Sequence, residues 1–165
     1  MPIWPFRRKV TARNVIPSPT QAPERVLSIL SPEEVQSLGG LPAKGIAGMM
    51  GSGSISVDDF RENPGFARFM HQVIGTAGPK DPGLQAAARQ QGDGWVYIID
   101  LRTPEGPSGR VPPEDIIGAF EVRNGQIIAG SYQASATHLV YTRNGLVSLP
   151  PYLRRALVDQ LLKVP

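Results

Sequence analysis

The sequence contains no cysteine. A disulfide framework, a thiolate nucleophile and a zinc knuckle are thereby excluded. A reducing compartment suits such a chain, and a cytoplasmic location is expected. Histidine is scarce as well. His71 and His138 stand alone, too few for a His-rich metal site, so no metal is expected. No apolar run approaches the roughly 18 residues that a membrane-spanning helix requires. The opening Met1–Val10 places its charges after a very short apolar piece, the wrong order and length for a secretory signal. A basic stripe of the kind a nucleic-acid groove needs is also missing from the body of the chain. The net charge is +3, but Arg7, Arg8, Lys9, Arg13 and Arg25 face a single acid, Glu24, within residues 1–30. The positive balance belongs to that stretch, and nucleic acid is expected to bind weakly, if at all, through it.

What the sequence has in plenty is proline and glycine, 17 and 18 residues, and these punctuate it. Pro2, Pro5, Pro17, Pro19 and Pro23 crowd residues 1–27, which read as a basic, Pro-rich disordered arm. Residues 28–165 read as a single globular domain, since 41% hydrophobic and 19% charged composition is that of a soluble folded chain. Ser31-Pro32-Glu33-Glu34 predicts a helix start with a capping box, and Val35 and Leu38 then face the core before Gly39-Gly40 stops the helix. Asn63-Pro64 opens a helix to about Ile74 with Phe66, Phe69, Met70 and Val73 on one stripe. His71 lies off that stripe as a boundary residue. Asp81-Pro82 opens another, ended by Gly92.

Trp95-Val96-Tyr97-Ile98-Ile99-Asp100-Leu101 follows at once. It is rich in β-branched and aromatic residues, and with both parities largely apolar it predicts a central strand covered on both faces. Asp100 and Arg102 share a parity at the exit, either as a ligand-binding pair or as a rim ion pair. Further on, Asn124-Gly125 between two branched runs predicts a hairpin, and the second Arg-Asn-Gly at 143–145 predicts another. Pro150-Pro151 begins a closing helix. Helices first, then a mostly antiparallel sheet of about five strands, then a helix: the expected class is α+β. There is also a faint internal repeat. Leu41-Pro42-Ala43-Lys44-Gly45-Ile46-Ala47-Gly48 aligns with Val111-Pro112-Pro113-Glu114-Asp115-Ile116-Ile117-Gly118, and Phe60–Asn63 lies near the register of Tyr132–Ser135. Either one Pro-turn-strand device is used twice or the match is chance.

Glu34-Val35-Gln36-Ser37-Leu38-Gly39-Gly40-Leu41-Pro42 resembles the segment that follows the catalytic glutamate in cholera-toxin-like ADP-ribosyltransferases. Trp95–Asp100 and Val111–Val122 resemble strands near the end of pierisin-like members. The resemblance implies ADP-ribose transfer from NAD, with an early Arg and a Ser-Thr-Ser strand around the cofactor and a Glu-x-Glu pair whose second member would be Glu34. Pro32 stands where the first Glu would fall, and no Ser-Thr-Ser strand precedes Glu34. The expectation is therefore a non-enzymatic protein-binding module without a cofactor, accessory or immunity-like in a bacterial toxin setting. Its surface would be built on the strand rim from Trp95, Asp100, Arg102, Glu121 and Tyr132. The alternative is an NAD-using enzyme with Glu34 catalytic.

Overall fold

The computed structural model describes residues 3–5, 24–51 and 56–163. Among them the fold is α+β, with four α-helices and ten short strands, every strand pairing antiparallel. In chain order these are β1 (Ile3–Pro5), β2 (Glu24–Ser28), α1 (Pro32–Ser37), β3 (Ile46–Gly51), β4 (Arg61–Glu62), α2 (Pro64–Ala77), α3 (Pro82–Gln91) and β5 (Gly94–Ile99). There follow β6 (Ile116–Arg123), β7 (Gln126–Ile127), β8 (Gln133–Ala134), β9 (Tyr141–Thr142), β10 (Gly145–Leu146) and α4 (Pro151–Leu162). The expected single sheet of about five strands is instead three sheets, ordered β1-β2-β3-β4, β10-β9 and β5-β6-β7, with β8 also on β6.

The chain falls into two compact units. Unit 1 is Met1–Phe69, Val140–Leu146 and Leu161–Pro165; unit 2 is Met70–Leu139 and Val147–Gln160. The expected arm also shortens. Ile3–Pro5 and Glu24–Leu27 are strand, because Val26 and Leu27 are apolar enough to be buried in unit 1. The rest of that stretch, with its basic cluster, lies outside the described residues.

Local chemistry sets the helix ends. Ser31 accepts from the Glu34 N–H (3.2 Å) while Glu34 Oε1 accepts from the Ser31 N–H (2.8 Å), a complete capping box. At six residues α1 is too short to bury any of its own side chains, so Val35 and Leu38 are half-buried rather than core. Asn63 Oδ1 accepts from the Gly65 N–H at the start of α2 (3.1 Å), and Asp81 Oδ1 from the Gly83 N–H at the start of α3 (2.8 Å). Helix α2 runs past the expected end near Ile74 to Ala77; with no side chain at Gly75, the ring of Tyr132 packs there. The two Arg-Asn-Gly tripeptides make different turns. Asn124 and Gly125 both take positive φ (50° and 74°) between Arg123 and Gln126, the tight hairpin form. In the second, Thr142 pairs with Gly145, so Arg143-Asn144 is the loop and the positive φ falls on Gly145 (105°).

The repeat is real in three dimensions, and chance is set aside. In unit 1, Pro42 (φ −67°, ψ 148°) leads a single 3-10 turn at Ala43–Gly45 into β3; in unit 2, Pro112 (φ −63°, ψ 149°) leads the same turn at Pro113–Asp115 into β6. Each strand pairs back on its predecessor with the same irregularity. Leu27 faces Gly48 and Ser28 faces Ile46, skipping Ala47, while Ile98 faces Gly118 and Ile99 faces Ile116, skipping Ile117. The carbonyl of each skipped residue accepts a backbone N–H, from Asn63 and from Ser135, both at 2.9 Å. A short strand then covers each β-bulge: β4 lies on β3 through Gly48↔Glu62, and β8 on β6 through Gly118↔Ala134. A ring closes each glycine, Phe60 over Gly48 and Tyr132 over Gly118.

Candidate functional site

The five residues expected to form a binding surface all lie in unit 2, and the fold sends them to three places. Trp95 and Glu121 are directly opposite on β5 and β6 and share one face of the sheet. Glu121 is held by its neighbour-but-one, with an Arg123 guanidinium N–H donating to Glu121 Oε1 at 2.9 Å. The same face carries Tyr97, opposite Ala119, which in turn lies opposite Gln133 of β8. The other parity of β5, Val96 and Ile98, is buried. The strand is therefore not the doubly covered central strand that its composition suggests. It ends its sheet among the described residues, with Trp95 37%, Tyr97 57% and, just past the strand, Leu101 42% exposed. Large apolar side chains so exposed, three from one stretch, form an unusual row for a folded chain.

Asp100 and Arg102 go inward instead of to the rim. Asp100 and Asp115 side chains are 0% exposed and that of Arg102 is 2%. Arg102 Nε lies 2.9 Å from Asp115 Oδ1 and 3.3 Å from Asp100 Oδ2, so one guanidinium serves two carboxylates. Its Nη2 donates to the carbonyls of Glu114 (3.0 Å) and Leu139. Asp100 Oδ1 accepts the N–H groups of Ser148 (2.9 Å) and Arg102 (3.2 Å), and Oδ2 lies 3.1 Å from His138 Nε2. This arrangement ties four separate chain segments together. Buried throughout, with Asp115 Oδ2 alone of its carboxylate oxygens lacking a hydrogen-bond partner, it is a clamp and not a surface a partner can reach.

Tyr132 takes a third position. Its hydroxyl is 2.7 Å from His71 Nδ1, and its ring packs at 5.1 Å, tilted, on Phe120. Burial pushes the Tyr132 phenol above its ordinary range. Burial first, and the charge of His138 second, hold His71 below its ordinary 6.5. The pair is thus a hydrogen bond between two groups kept neutral at pH 7.

Three residues that matter here escaped the sequence reading. Tyr97 was legible, since it shares parity with Trp95. Asp115 and His138 carried no local signal, because they reach Arg102 and Asp100 across 13 and 38 residues. A further polar cleft of about 470 Å³ lies beside α3 and the β6–β7 turn, lined by Pro79, Gln85, Arg89 and Asn124–Ile127, and holds none of the expected residues. Glu34, the residue the resemblance singles out, is half-buried in unit 1 with Oε1 committed to the helix cap. No helix among the described residues is long and apolar enough to cross a membrane. No family model matches the sequence, and comparison with curated proteins and with solved structures found no match.

Proposed function

We propose that the chain is a protein-binding module whose contact surface is the outward face of β5. The observation that carries this reading is the exposed pair Trp95 and Tyr97 on a strand whose other parity, Val96 and Ile98, is core, with exposed Leu101 just past its end. Rigid aromatic side chains presented by a sheet lose little conformational entropy on binding, which makes them efficient anchors. Glu121, beside Trp95, supplies a polar margin. The resemblance of Trp95–Asp100 and Val111–Val122 to ADP-ribosylating toxins suggests a partner from such a bacterial system, for which this chain would be an accessory or immunity-like protein. The engagement of Glu34 in a helix cap supports the module over the alternative NAD-using enzyme.

The test uses a partner captured from the source organism, purified and titrated against wild type and against Trp95→Ala/Tyr97→Ala. Loss of two anchors should weaken the complex by about 2 kcal/mol or more, some thirtyfold, with the unfolding midpoint of the module unchanged. Equal affinities would overturn the reading. NAD consumption by wild type that Glu34→Gln abolishes would replace it with the enzyme, since Gln preserves the capping box and removes only the carboxylate.

A further inference from the structure

The repeat compares a strand whose outer edge is covered with one whose outer edge is not. In register, β2 of unit 1 corresponds to β5 of unit 2: Leu27 matches Ile98, Val26 matches Tyr97 and Arg25 matches Val96, because each faces the equivalent residue of β3 or β6. On its other side β2 carries β1, antiparallel, with Ile3 opposite Leu27, Trp4 opposite Val26 and Pro5 opposite Arg25. Among the described residues β5 has no such neighbour, and its sheet ends there. The exposures differ in step. Val26 is 1% exposed, whereas Tyr97 in the matching position is 57% exposed. Among the described residues the same device thus appears once with a strand beyond its first member and once without one.

We propose that β5 accepts such a strand from a partner protein. The occupant is a short, extended, apolar segment with a large apolar or aromatic residue opposite Tyr97, set antiparallel in the register that β1 keeps on β2. This rests on β5 being the binding surface and specifies how that surface is used. An edge strand offers alternate N–H and C=O groups to an incoming chain, and side chains opposite each other meet on one face. A partner residue opposite Tyr97 therefore stands beside Trp95 and Tyr97 and covers them. Proline at the segment's end is compatible, since it lacks only a donor that an edge position can spare. Among the described residues the one strand of this kind, β1, is already held by β2. Exposed edges of apolar strands are otherwise a hazard for self-association.

The probe is a hexapeptide of residues 1–6, Met-Pro-Ile-Trp-Pro-Phe, added at millimolar concentration to the full ¹⁵N-labelled chain. Two further peptides carry an N-methyl group on the amide nitrogen of Ile3 or of Trp4. Successive N–H groups point to opposite edges of a strand, so only one of the two methyl groups blocks the ladder. The parent peptide is expected to shift the amide signals of 94–99, and one methylated peptide alone is expected to lose that effect. If both methylated peptides act like the parent, side-chain contact with the face stands and strand addition is overturned. Unmoved 94–99 signals overturn the proposal, as do shifts confined to 25–27, which report exchange with β1 at its own edge. Shifts at 94–99 that appear on concentrating the protein alone give the edge to a second copy and overturn the partner. The Trp95→Ala/Tyr97→Ala titration decides the face independently of all these results.

Discussion

Tyr132 lies so close over Gly118 that a methyl group at position 118 would collide with it. A β-carbon there would sit 2.5 Å from the Tyr132 hydroxyl oxygen, 2.6 Å from its ring and 2.7 Å from the Gln133 carbonyl. Phe60 and the Arg61 carbonyl close on Gly48 in the same way. Gly118→Ala and Gly48→Ala are therefore each expected to destabilise by about 1–3 kcal/mol, the usual cost of overpacking. Urea unfolding read by circular dichroism should show the midpoint fall with an unchanged slope.

Arg102 neutralises two carboxylates that water cannot reach. Arg102→Met should cost about 3–5 kcal/mol, because it leaves Asp100 and Asp115 buried without the guanidinium they share. Adding Asp100→Asn and Asp115→Asn to that variant should restore part of the loss. A triple variant no more stable than Arg102→Met would show that packing of the arginine, and not its charge, holds the segment.

Stability should also fall with pH through His71. Its folded-state pKa is depressed, chiefly by burial, so below 6.5 the unfolded chain binds more protons than the folded one. The contribution is complete above 6.5, is lost as pH drops, and levels off once the folded side chain charges too. His71→Gln removes this titration. The stability difference between wild type and variant should thus change between pH 7.5 and pH 5, in the direction that favours the variant as the solution becomes more acid.

Ser31→Ala deletes half of the capping box and should cost about 1 kcal/mol, within the usual 0.5–2 kcal/mol for such a cap. Thermal unfolding measures it. Glu34→Gln should cost less, since an amide oxygen can still accept from the Ser31 N–H.

The sequence was most readable where one residue type has one physical use. Ser31 and Glu34 made their cap, Asn124-Gly125 made its turn, and the pairing of Leu41–Gly48 with Val111–Gly118 proved to be a structural repeat. It was least readable where exposure depends on what lies across space. Trp95 and Tyr97 look like core, yet they are exposed while Val26, in the place matching Tyr97, is buried. Asp100 and Arg102 were correctly paired by parity but misjudged as surface, because Asp115, His138 and Ser148, which enclose them, are distant in the chain. The second Arg-Asn-Gly shows the same limit at short range: identical tripeptides turned differently as their flanking strands set the register.

Unit 1 is assembled from three separate stretches, and the last of them begins at Leu161. Leu161 is buried, and its side chain lies beside Gly45, more than a hundred residues earlier. During synthesis the earlier stretches of unit 1 thus wait for one made long after them. Its strands can pair as they emerge from the ribosome, but its interior closes only once Leu161 has been added. Such closure over long sequence separations is slow and leaves apolar surface uncovered meanwhile. A nascent chain stalled before residue 161 would present an incomplete unit 1 to chaperones and proteases, so synthesis of Leu161, and not of the strands themselves, times the maturation of β2 and β3.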